Sequence, residues 1–230
     1  NKAKEAALRL TYDKDVGFTN LRGINALERP DGKPLADEYS DILKRNIDDI
    51  AGSLGNDAQR QAFAQRSNDI IVEMYGNAMR HAAREYKGHA LSVSDGIQST
   101  ALREISLNWR NIDTVNSAVD RIRAETYRQA QLLGMSAEWQ EVQARKMTSN
   151  AHKTALLSAL EQNDPSYADS YLRRYAAQID ADDILTVRGH VTKAMDAQIG
   201  FTAASGVMRT MQPRIHVGEA ERAFNIALGA

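Results

Sequence analysis

The longest pattern of apolar and polar positions in the chain lies between Asn56 and Arg110. No proline occurs there, and apolar or small side chains recur mainly in steps of four. They are Phe63, Ile70, Met74, Ala78, Ala82, Tyr86, Val93, Ile97, Ala101, Ile105 and Trp109. Because a step of four overshoots the helical turn by about 40°, this stripe winds around the helix and needs a partner surface that follows it. If unbroken, the helix would be roughly 80 Å long.

The sequence also predicts where this helix begins and where it bends. Asn56 is expected to be its N-cap, with Gln59 completing a capping box. Gly88 and Gly96, with Ser and Asp residues between them, combine poor helix formers with side chains that compete for backbone hydrogen bonds. We therefore predict a kink or short break between Gly88 and Gly96.

Further amphipathic helices are predicted on both sides of the long one. One begins near Ala36 and ends at Gly52, and another runs from Asp113 or Thr114 to Leu133. The C-terminal part is divided into several helices. Gly134 is expected to end one helix in the left-handed conformation, and Ser136 and Asp180 are expected to be N-caps. The Asp164-Pro165 pair is expected to open another helix as its N-cap and first position. The first twelve residues predict only a helical turn or two. Residues 13–34 predict an irregular arm, for which a tethered surface loop is favoured over an arm pinned to a helix by its apolar residues.

These elements predict an all-α fold, because the alternation of apolar and polar residues that is typical of strands is hard to find in the sequence. We expect an elongated bundle of amphipathic helices with one very long helix at about 56–110, kinked or interrupted, and a C-terminal helical-hairpin region. The expected segments are an irregular arm at 1–35, a long-helix bundle at 36–134, a helical-hairpin region at 135–212, and the start of a further helix or domain at 213–230.

Composition excludes several classes of function. A net charge of −1 with 26% charged residues provides no global basic field for nucleic acid. The chain has no cysteine, and hence no disulfide, thiolate nucleophile or Cys-based zinc site. No apolar run is long enough to span a bilayer, and residues 1–10 lack the core of a signal peptide. Since the sequence begins with Asn1, we expect it to be a segment of a longer protein.

Candidate chemistry is sparse along the chain. His81 and His89 lie about 11 Å apart along one helix, too far for one metal ion, and a polar-face role is favoured for both. The carboxylates and the short arginine clusters are typical of solvated helix faces. Trp109, Trp139 and the tyrosines near residue 171 have helical spacing, which favours packing over base stacking. We predict no catalytic, cofactor-binding or metal-binding residue within the 230.

Amphipathic faces of this kind can pack within the chain or between copies. The candidate packing and oligomer face consists of Phe63, Ile70, Met74, Ala78, Ile97, Ile105 and Trp109.

Three stretches carry a resemblance to a known family: VGFTNLRGINAL at 16–27, AGSLGNDAQRQAF at 51–63 and ALEQNDPSYA at 159–168. In this order they resemble the internal virion proteins of tailed bacteriophages, which are ejected ahead of the genome. The resemblance covers roughly residues 12–200 and consists of turn and cap patterns. Residues 220–230 are also similar to the helix that leads into the catalytic motif of the lytic transglycosylase domain often fused to such proteins. The resemblance implies a murein-cleaving domain after Ala230.

The leading hypothesis is therefore a structural virion protein that helps deliver the genome across the host envelope as an oligomeric conduit. Implied partners are further copies, other ejection proteins and transient contacts with DNA, peptidoglycan or the host envelope. The implied location is the virion interior, then the host periplasm after ejection. Two alternatives remain open: the non-catalytic helical scaffold of a peptidoglycan lytic transglycosylase, and a helical adaptor for protein partners.

Overall fold

The computed structural model describes residues 2–211, with side chains up to residue 209. These residues form α-helices joined by turns and contain no strand, which confirms the predicted all-α class. The helices are α1 Lys2–Tyr12, α2 Ile24–Leu27, α3 Leu35–Gly52, α4 Asp57–Leu107, α5 Ile112–Leu133, α6 Ala137–Glu161, α7 Pro165–Tyr175 and α8 Ala181–Met211. Short 3-10 turns lie at Phe18–Asn20 and Ala176–Gln178. The segment predicted at 213–230 falls outside the described residues.

The predicted very long helix is present as α4, a single helix of 51 residues. Its predicted N-cap is confirmed, because Asn56 Oδ1 accepts the backbone N–H of Gln59 at 2.9 Å. The predicted break is absent, since α4 continues through both Gly88 and Gly96. A helical glycine costs only about 1 kcal/mol relative to alanine. Packed residues further along the same helix, such as Ser94, can offset such a cost.

Three further helix boundaries have the capping residues that the sequence predicts. Ser136 Oγ accepts from Trp139 N–H, and Asp164 Oδ1 accepts from Tyr167 N–H at 3.1 Å. Gly134 has a φ of +70°, the left-handed conformation expected after α5. The start of α5 differs from the prediction: the helix begins at Ile112, because Asn111 Oδ1 accepts the N–H of Thr114 at 3.1 Å.

The chain divides into two compact units, and the divisions fall within α4, within α5 and in the turn between α5 and α6. Unit 1 contains the residues up to Ser99 together with Arg128–Met135. Unit 2 contains Thr100–Tyr127 and the described residues from Ser136 to Met211. Each unit has its own buried apolar cluster.

Unit 1 is built on α1, α3 and most of α4, and its N-terminal part is more ordered than the sequence predicts. Helix α1 spans eleven residues and buries Ala3, Ala7 and Leu10, where only a turn or two was expected. The arm that follows is not a surface loop, because Phe18 is fully buried in the unit 1 cluster. The expectation fails because it rested on turn residues, whereas burial of one phenylalanine side chain stabilises the arm by roughly 2 kcal/mol.

Unit 2 is built on the end of α4, the first part of α5, and α6 to α8. Its buried cluster combines small side chains of α6, such as Ala151 and Ala155, with larger ones of α7, such as Tyr171 and Leu172. Alanine allows helices to approach closely, so larger side chains can fill the space between them. The predicted packing role of Trp109, Tyr171 and Tyr175 agrees with their burial in this cluster.

Candidate assembly surface on helix α4

Helix α4 is buried on different sides along its length. The first buried set is Ser67, Met74, Ala78 and His81, and the second is Ser94, Gln98, Ala101 and Ile105. At 3.6 residues per turn, the centres of the two sets lie roughly 160° apart around the helix axis. The slowly winding stripe inferred from steps of four thus divides into two nearly opposite buried faces, and its members Tyr86, Val93 and Ile97 between them are exposed.

The first buried face holds the arm of unit 1. The Phe18 ring packs against the rings of Tyr39 and His81, with centroid distances of 5.4 and 5.8 Å. His81 Nε2 lies 2.8 Å from the carbonyl oxygen of Leu21. The polar-face role predicted for His81 is therefore wrong: the side chain is buried, because the arm supplies the hydrogen-bond partner that a buried imidazole needs.

An acidic side chain fixes the same arm one turn further along α4. Glu85 Oε2 accepts the backbone N–H of Gly23 at 2.8 Å, and Glu85 Oε1 pairs with the Arg22 guanidinium at 2.9 Å. The Gly23 N–H and the Arg22 charge hold the pKa of Glu85 below its usual value. The carboxylate therefore stays ionised at neutral pH and tethers the arm.

The second buried face is closed by polar as well as apolar contacts. Within unit 1, Gln129 Nε2 donates to Asp95 Oδ1 at 2.6 Å. Within unit 2, the hydroxyls of Ser106 and Ser158 lie 3.0 Å apart, and Ile105 is fully buried in the cluster. The first contact joins α4 to α5, and the second joins α4 to α6.

A third side of α4 carries exposed apolar residues spaced seven apart. They are Val72, Met79, Tyr86 and Val93, with exposed fractions of 70, 50, 58 and 44%. We call this row the α4 seam. The small residues Gly76, Ala83 and Ala90 lie four positions after the first three. Seven-residue spacing drifts by about 20° per repeat on a straight helix and is typical of a left-handed coiled-coil contact.

The predicted packing and oligomer face is divided among three environments. Met74 and Ala78 are buried in the unit 1 cluster, and Phe63 and Ile70 pack partly buried against it. Ile105 and Trp109 are buried in the unit 2 cluster. Ile97 is exposed, four residues after the last member of the seam.

Most of the predicted face is thus used inside the chain. The sequence prediction contained only half of the seam: Tyr86 and Val93 belong to the stripe of four-residue steps, whereas Val72 and Met79, which complete the seven-residue spacing, do not. That spacing was the pattern that could have revealed it.

A second arrangement in unit 2 resembles a site but is closed. His152 is buried between the Tyr171 hydroxyl, 2.9 Å from Nδ1, and Gln178 Oε1, 3.1 Å from Nε2. The imidazole stacks on the Tyr175 ring with a centroid distance of 4.6 Å. Burial lowers the pKa of His152, partly offset by the Gln178 hydrogen bond, and burial also raises the pKa of Tyr171. Both imidazole nitrogens are occupied, so the group joins α6 to α7 and is not available to a substrate.

The described residues contain neither a candidate metal site nor a candidate membrane-spanning helix. Among them, no group of three or more His, Asp or Glu side chains could hold a metal ion. None of the helices in residues 2–211 combines the length and apolarity that crossing a bilayer requires.

Comparison of the chain with protein-family models, with curated proteins and with solved structures finds no match.

Proposed function

We propose that the chain is a structural internal virion protein of a tailed bacteriophage, which helps deliver the genome across the host envelope as an oligomeric conduit. The observation that carries the proposal is the α4 seam, an exposed apolar row on a single 51-residue helix. The order of turn and cap patterns in the sequence supplies the link to ejection proteins.

The seam supports assembly because burying its apolar side chains is favourable and because they recur every seven residues along the helix. Val72, Met79 and Tyr86 each leave about half or more of the side chain exposed. Burying the remainder against a partner helix would contribute on the order of 1 kcal/mol per residue. The small residues beside the seam let a second helix approach closely, as in other helix pairs.

Two further properties suit a protein that is threaded through a narrow tail and then reassembles. The chain has no cysteine, so no disulfide opposes its unfolding. Its helices are made by local contacts, and proteins rich in local contacts refold quickly. We place the protein in the virion interior and then in the host periplasm, with other ejection proteins as partners and with transient contacts to DNA or peptidoglycan.

The helical adaptor is a second candidate, because the same seam could receive an amphipathic helix of another protein. It differs from the conduit in one measurable respect: the purified chain would stay monomeric until that partner is added. The lytic transglycosylase scaffold depends on residues 220–230, which lie outside the described residues, and stays a prediction.

The test compares the oligomeric state of the purified protein with that of a seam variant. We expect the wild type to form oligomers in sedimentation-velocity experiments and rings or tubes in electron micrographs. Met79→Glu places a charge in the seam and should shift the protein to monomers, with unchanged helix content because Met79 is half exposed. Leu185→Glu is the matched control, since Leu185 is an exposed apolar residue of α8 and should leave assembly intact.

Two results would overturn the proposal. The first is a wild-type protein that stays monomeric at high concentration and in membrane mimics. The second is an oligomer that Leu185→Glu disrupts as strongly as Met79→Glu does.

A further inference from the structure

A pocket of unit 1 lies between the start of α1, the turn before α4 and the first turns of α4. Its volume is about 570 Å³, within the usual range of small-molecule sites. The residues that line it include Lys4, Leu54, Phe63, Arg66, Ser67 and Ile70. None of them belongs to the α4 seam.

Ser67 provides the most specific observation. Its side chain is 1% exposed and lines the pocket, yet its Oγ has no hydrogen-bond partner among the described residues. Other buried hydroxyls have partners: Thr11 donates to the Ala7 carbonyl at 2.7 Å, and Ser149 donates to Asp183 Oδ2 at 2.7 Å. An unsatisfied buried hydroxyl costs about 1–3 kcal/mol, and a ligand that accepts its hydrogen bond would remove that cost.

Two cations share the pocket with this hydroxyl. Lys4 and Arg66 both line it and are exposed to solvent. Neither forms an ion pair with a carboxylate of residues 2–209. Solvent-exposed ion pairs are individually weak, so the two cations alone would not bind a small inorganic anion tightly.

The remaining wall of the pocket is apolar. Phe63 and Ile70 pack partly buried against the unit 1 cluster, and Leu54 comes from the turn between α3 and α4. A ligand with an apolar tail would therefore gain burial that a bare anion would not.

We propose that this pocket binds an amphiphilic carboxylate of the fatty-acid type. The carboxylate lies between the Lys4 ammonium and the Arg66 guanidinium and accepts the Ser67 O–H, and the alkyl chain lies against Phe63, Leu54 and Ile70. The site is independent of the conduit proposal because it uses a different side of α4.

Binding is tested with octanoate on the full chain, with octanol and inorganic phosphate as probes that carry only the tail or only the charge. We expect saturable octanoate binding in calorimetry, together with chemical-shift changes at Phe63 and Ile70. Ser67→Ala should weaken octanoate binding roughly tenfold or more, as expected for loss of a charge-assisted hydrogen bond, and Arg66→Gln, at an exposed position, should weaken it severalfold. Arg84→Gln, at an exposed position of α4 outside the pocket, is the matched control and should bind as the wild type does.

The variants also report on folding. Ser67→Ala removes the unpartnered hydroxyl, so the free variant should unfold at a temperature equal to or above that of the wild type. Octanol binding as tightly as octanoate would overturn the role of the charges, and phosphate binding as tightly would overturn the role of the tail. Undiminished octanoate binding by both pocket variants, or no octanoate binding by the wild type, would also reject the site.

Discussion

At the residue scale, His152 is a buried group that the folded structure keeps from binding a proton. Gln178 Oε1 can only accept, so Nε2 carries the hydrogen, and Nδ1 then accepts the Tyr171 O–H. This arrangement satisfies a neutral imidazole. A second proton on Nδ1 would force the Tyr171 hydroxyl to accept instead of donate, and would place a charge inside the unit 2 cluster.

We therefore predict that stability falls as the solution is acidified below about pH 6.5. Burial depresses the folded-state pKa of His152 below its ordinary value of 6.5, so in that window the unfolded chain binds a proton that the folded chain does not. The stability is fully present above pH 6.5 and is lost as the pH falls toward the folded-state pKa. Urea unfolding at pH 7.5 and at pH 5.5 measures the loss.

Two comparisons isolate His152 in that experiment. His152→Gln should reduce the difference between the two pH values, whereas His190→Gln, at an exposed position of α8, should leave it unchanged. If His152→Gln does not fold, an NMR titration of the wild-type His152 ring replaces it. A ring that becomes protonated in the folded protein near pH 6.5 or above would contradict the prediction.

At the scale of the element, two glycines with similar open surroundings have opposite roles. Gly88 lies inside α4, and Gly134 ends α5 at a φ of +70°. A Cβ atom at either position would meet nothing within 4 Å. The backbone conformation therefore decides what each substitution does.

We predict that Gly88→Ala stabilises the protein by about 0.5–1 kcal/mol, because alanine fits a helical interior better than glycine. Gly134→Ala should destabilise it by about 1–2 kcal/mol, because an L-residue is strained in the left-handed region. Urea midpoints of the two variants measure both effects under identical conditions. Destabilisation by Gly88→Ala would indicate that α4 is interrupted near residue 88, as the sequence alone had suggested.

At the scale of the whole molecule, the two units share continuous helices. Helix α4 passes from unit 1 to unit 2 at residues 99 and 100, and α5 returns at residues 127 and 128. Neither helix is interrupted at the division. Unfolding one unit would therefore fray helices on which the other depends.

We predict that the two units unfold in one cooperative transition. Trp109 and Trp139 both lie in unit 2, so tryptophan fluorescence follows that unit, whereas circular dichroism at 222 nm follows helix in both units. The two signals should give the same urea midpoint. Separate midpoints, or a dichroism curve with two steps, would show that the units unfold independently.

Several elements could be predicted from the sequence because the forces that fix them are local. Asn56, Ser136 and Asp164 bond to N–H groups only three residues away, so a short stretch specifies each cap. The α3 boundaries and the long extent of α4 were likewise predicted from apolar periodicity and the glycine turn between them. The arm around Phe18 was not, because its order depends on Tyr39 and His81, which are distant in sequence.

The sequence by itself determined an all-α chain with one very long helix and its main caps, since helix formation depends on neighbours within a few residues. Only the tertiary structure decided which side of that helix is covered. The first buried face meets the arm at Phe18, the second meets α5 near Gln129, and the row from Val72 to Val93 is left exposed. Burial depends on contacts between segments far apart in the chain, and periodicity along one helix does not identify which apolar face another segment of the chain will cover.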